Sequence, residues 1–76
     1  MNRMKQLTIV SYRLTRENLP RMDELDAMII KAVGLRSCGS GAGLGWRDVE
    51  FDTDRPLDEI KQAVKKVPVR LYISRA

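Results

Sequence analysis

The sequence predicts an α+β domain: one antiparallel sheet covered by two helices on a single face. Three observations predict it. Two stretches place apolar residues at helical spacing, each opened by Asn or Asp two residues before a proline. Three stretches rich in β-branched or aromatic residues read as strands. Between the halves lies a tract with glycine at every second position, able to hold a fourth strand and a hairpin turn.

Residues 6–14 carry Leu7, Thr8, Ile9, Val10 and Tyr12 and make the first strand. Asn18 is placed to cap a helix, with Pro20 in its first turn, where a missing N–H costs nothing. Met22, Leu25, Ile29, Ala32 and Val33 then form one apolar stripe. Asp23, Glu24 and Asp26 near the start and Lys31 near the end suit the helix dipole, and Gly34 suits the position just past the end. Residues 46–53 alternate cleanly: Val49 and Phe51 point to the core, while Asp48, Glu50 and Asp52 point away. Asp54 and Pro56 repeat the spacing of Asn18 and Pro20, and Leu57, Ile60, Val64 and Val67 give a second helix over about 56–66. Pro68 ends it. Residues 69–74 alternate again, with Val69, Leu71 and Ile73 inward and Arg70, Tyr72 and Ser74 outward.

The glycine tract completes the pattern. Gly39, Gly41, Gly43 and Gly45 share one face if the tract is extended, so a short edge strand around 36–41 and a turn near 42–45 lead into the strand at 46. The order becomes β-α-β-β-α-β and resembles the ferredoxin-like split β-α-β fold, a single domain over residues 1–76. That fold serves many unrelated activities, so the resemblance implies an architecture and no reaction.

Composition narrows the function classes. The chain has 76 residues, a formal net charge of +4, one cysteine and no histidine. The longest apolar run is far below the ~20 residues a membrane span needs. A lone Cys38 excludes an internal disulfide, and with no histidine there is no ordinary base to activate it as a nucleophile. The expectation is a cytoplasmic, non-enzymatic domain with no cofactor and no metal. A domain this small gains from self-association, so a homodimer is expected.

Charge is laid out unevenly. Both ends are basic, whereas residues 48–59 carry six acids against Arg55. The acids Asp48, Glu50, Asp52 and Asp54 fall at strand spacing, without the glycine an EF-hand loop needs at its sixth position. The glycine tract matches neither the G-x-G-x-x-G dinucleotide fingerprint nor the P-loop. Gly41→Val is expected to disrupt the fold only if the tract is closely packed or needs positive φ.

The residues expected to bind are therefore Gly39, Gly41, Gly43 and Gly45, the flanking Arg36, Trp46 and Arg47, and the outward Arg70 and Tyr72. Arginine and aromatic side chains on an uncovered sheet face are the residue types that dominate protein interfaces. The preferred partner is a protein, a second copy included. The alternative is nucleic acid or an anionic ligand, held by the glycine tract and by Arg3, Lys5, Lys61, Lys65, Lys66 and Arg75 at the basic ends.

Overall fold

The computed structural model describes residues 5–76. The elements run β1 (Gln6–Arg13), a 3-10 turn (Leu19–Arg21), α1 (Met22–Val33), β2 (Gly39–Gly43), β3 (Trp46–Thr53), α2 (Leu57–Ala63) and β4 (Tyr72–Arg75). The sheet order is β2-β3-β1-β4, and every neighbouring pair is antiparallel. This is the predicted ferredoxin-like arrangement, with the longest strands, β1 and β3, at the centre.

The core lies between the sheet and the helices. Val10 and Tyr12 of β1, Val49 and Phe51 of β3, Leu25, Ile29 and Val33 of α1, and Ile60 and Val64 at α2 are all buried. The alternation along β3 thus points Val49 and Phe51 inward as the sequence demands. Phe51 is fully buried opposite Thr8 in the β1–β3 register. Gly34 ends α1 in the left-handed region, φ 76°, and donates its N–H to the Ile30 carbonyl, a closure favoured by a residue without Cβ.

Three polar devices tie the layers together. Asp26 of α1 accepts a hydrogen bond from the Tyr12 hydroxyl at 2.8 Å on Oδ1, and two from the Arg47 guanidinium at 2.9 and 2.7 Å on Oδ2. Arg55 donates to the Val33 carbonyl at 2.8 Å, a cation set against the carboxyl end of α1, where the helix dipole favours it. Arg75 donates to Thr8 Oγ1 at 3.1 Å and to the Arg55 carbonyl, linking β4 to β1 and to the segment before α2.

Element edges differ from the sequence reading, for identifiable reasons. Asn18 stands at the N-cap position of the 3-10 turn, not of α1, and its side chain makes no capping bond: its Oδ1 accepts the Thr15 N–H and its Nδ2 donates to the Arg13 carbonyl. In the β1–β4 ladder the outer-face residues of β1 are those whose backbone groups point toward β4. Capping Arg13 therefore closes the ladder there, and β4 spans 72–75 rather than 69–74. Asp54 does not cap α2 either, because the N-cap position belongs to Pro56, and the Arg55 N–H is taken by Thr53 Oγ1. The helix covers 57–63, shorter than the expected 56–66. Strand β2 occupies 39–43 rather than 36–41, because the turn needs only Leu44 and Gly45 between Gly43 and its partner Trp46.

Burial, then the hydrogen bond to Asp26 and that carboxylate's charge, push the Tyr12 phenol well above its ordinary value. A phenol that ionises less readily folded than unfolded gives stability that is complete below its unfolded pKa. That stability is lost as pH rises beyond about 10. In urea titrations, wild-type stability should fall between about pH 9.5 and 11.5, and Tyr12→Phe should fall less over that interval. Asp26→Ala leaves the Arg47 guanidinium, 16% exposed, without its partner, and should cost about 2–4 kcal/mol in urea denaturation at neutral pH, somewhat less than for a fully buried pair.

Candidate functional site

The helices cover one face of the sheet, and the other is open. Period-two alternation sends Leu7, Ile9, Ser11 and Arg13 of β1 to that outer face, with Trp46, Asp48, Glu50 and Asp52 of β3 and Tyr72 and Ser74 of β4. Toward the hairpin end of this face the Trp46 and Tyr72 rings meet edge to face, centroids 5.4 Å apart and planes at 75°. These residues belong to strands on either side of β1, and small Ser11, which pairs with Tyr72 and with Asp48, lies between them. The Ser11 hydroxyl donates to Asp48 Oδ1 at 2.7 Å. Tyr72 remains 48% exposed despite the contact with Trp46.

The acids beside this pair have no cationic partner among the described residues, where the ion pairs are Arg21–Glu24 and Arg47–Asp26. Asp48, Glu50 and Asp52 thus form an unneutralised row along β3, on a chain whose net charge is +4.

Glycines extend the face sideways. Gly39, Gly41 and Gly43 stand opposite Glu50, Asp48 and Trp46 in the β2–β3 register. The row next to the acids therefore has no side chains. A Cβ at Gly39 would lie 2.6 Å from Glu50 Oε1, so the Glu50 carboxylate leans over that glycine, whereas Gly41 and Gly43 have open space above them. Neither close packing nor positive φ requires glycine at 41. Gly45 differs: it follows Leu44 in a two-residue turn with φ 53° and 80°, the pattern of a type I′ hairpin. Leu44 is fully exposed at the tip, in a backbone region that disfavours leucine.

The expected binding residues separate into three groups. Gly39, Gly41, Gly43, Trp46 and Tyr72 share the open face, with Gly45 at its end. Arg36 and Arg70 are exposed in the segments before β2 and β4. Arg47 lies on the helix-covered side, engaged with Asp26, and does not flank the glycines as an anion ligand would. Arg75 is likewise engaged, with Thr8 and the Arg55 carbonyl. Lys5, Lys61, Lys65 and Lys66 are exposed, and Arg3 lies outside the described residues.

Cys38 is exposed and free. Among the described residues no group of three or more Cys, Asp or Glu side chains is arranged to hold a metal ion. No described helix is long and apolar enough to cross a membrane. A shallow groove between α1 and the end of α2 has an apolar floor of Met28, Ala32, Val67 and Pro68, rimmed by Lys31 and Lys66.

Sequence reasoning missed the three arginines that tie the layers together, Arg47, Arg55 and Arg75. Tyr12, Asp26 and Arg47 are far apart in sequence, and only the register of β1 with β3 and the docking of α1 bring them together. The chain matches no protein-family model, no curated protein and no solved structure.

Leu44→Asn should stabilise the fold by about 1 kcal/mol, because asparagine tolerates the left-handed region that leucine resists. Gly41→Val should leave thermal stability unchanged or slightly raised, because it fills open space in an ordinary strand conformation. Both are read by thermal denaturation followed by circular dichroism.

Proposed function

We propose that this protein is a non-enzymatic interaction module that binds a protein partner through its open sheet face and the adjoining glycine hairpin. The observation that carries this reading is the Trp46–Tyr72 pair on the uncovered face. Among the described residues no helix lies over these rings, Tyr72 is exposed and Trp46 half-buried, and tryptophan and tyrosine are among the residues that contribute most at interface centres. The acids beside them favour a protein surface over a phosphate backbone, which they repel. A second copy or another chain would each satisfy this reading.

A photo-crosslinking phenylalanine analogue in place of Tyr72 tests the reading in intact cells. The expected result is a discrete protein adduct, to a second copy or to another chain, that the same probe at exposed Lys61 on the helix side does not give. Adducts to nucleic acid, or identical adducts from both positions, would overturn it.

A further inference from the structure

We infer that the partner presents an extended basic segment, one of whose cations sits against Trp46 and Tyr72 beside Asp48. This rests on the interaction-module reading and names its partner's chemistry. Charge is the first argument. Asp48, Glu50 and Asp52 lie in one row and have no cation partner among the described residues. Within the strands of the outer face the one opposing charge is Arg13, opposite Trp46 at the far end of the row from Asp52. Leaving a molecule of net charge +4 with an acidic face suits a positively charged occupant.

The aromatic pair adds geometry. In an edge-to-face contact, the ring offering its edge keeps both faces free of its partner. A lysine or arginine head over such a ring gains cation–π attraction, and more where a carboxylate is adjacent. Asp48 accepts the Ser11 hydroxyl on Oδ1, and its Oδ2 has no protein donor among the described residues.

Charge selects a segment over a second folded copy: two copies laid face to face with their β3 strands crossing would set acid row on acid row. Four strands about 4.8 Å apart and about six residues long, at ~3.4 Å each, make a sheet about 20 Å across, which one strand-like segment spans. The glycines complete the fit: with no side chains at 39, 41 and 43, long basic side chains can reach across β2 to the β3 carboxylates.

Trp46 is the chain's one tryptophan, so its emission reports occupancy directly. The probe is a short peptide of alternating lysine and threonine, with a glutamate–threonine peptide and polyuridylate as controls. The expected result is a saturable shift with the lysine peptide alone. Affinity should weaken about tenfold in Asp48→Asn/Glu50→Gln, and little in Asp58→Asn/Glu59→Gln, which removes the same charge from α2. Circular dichroism confirms that both double variants fold. The inference is overturned by no response to the lysine peptide, by equal weakening in both variants, by a response to polyuridylate instead, or by an emission change that follows protein concentration alone. If the peptide fails while the Tyr72 probe still captures a protein, the basic segment is wrong and the interaction module stands.

Discussion

The Asp26 carboxylate is the joint on which the layers of this small protein depend. One oxygen takes the Tyr12 hydroxyl from β1, the other takes the Arg47 guanidinium from β3, and the carboxylate itself belongs to α1. Apolar packing alone tolerates sliding of a helix along a sheet, because it has no direction. Three hydrogen bonds to one side chain do not, and they fix where α1 sits along the two central strands. Among the described residues no buried polar side-chain atom lacks a partner, so the cluster adds direction without leaving an orphaned group.

This joint governs the outer face as well. Adjacent residues of a strand point to opposite sides, so Arg47 facing Asp26 requires Trp46 and Asp48 to face away. Fixing the inner register of β3 against α1 therefore fixes where the aromatic ring and the first acid stand on the open side. A one-residue slip would bury the acids and expose Phe51. The face is thus specified by the core beneath it.

The layout of the fold was legible wherever a side-chain period was strong. The β3 alternation, the α1 stripe from Met22 to Val33, and the glycine ending α1 carried enough local information to place core and surface. Caps were less legible, because Asn18 and Asp54 suit several backbone partners equally well in a linear reading. Asn18 instead closes the end of β1, and Thr53 serves Arg55. The outward set of Trp46, Asp48 and Tyr72 was readable from alternation, but their meeting above Ser11 was not, since it depends on the register of β1 with β3 and β4. Arg47 and Arg75 read as surface cations by composition. They are structural because the tertiary fold sets an acceptor in reach of each.

Strand β2 has a dynamic consequence that follows from its composition. Glycine gains more backbone freedom on release than any other residue, and β2 contributes no buried side chain to the core. It is therefore the part of the sheet that detaches at least cost, opening and reclosing well before the central strands yield. Its release would free the backbone edge of β3, the strand that carries Trp46 and the acids. The margin of the sheet beside the acids is thus held by backbone hydrogen bonds and by no buried side chain of its own.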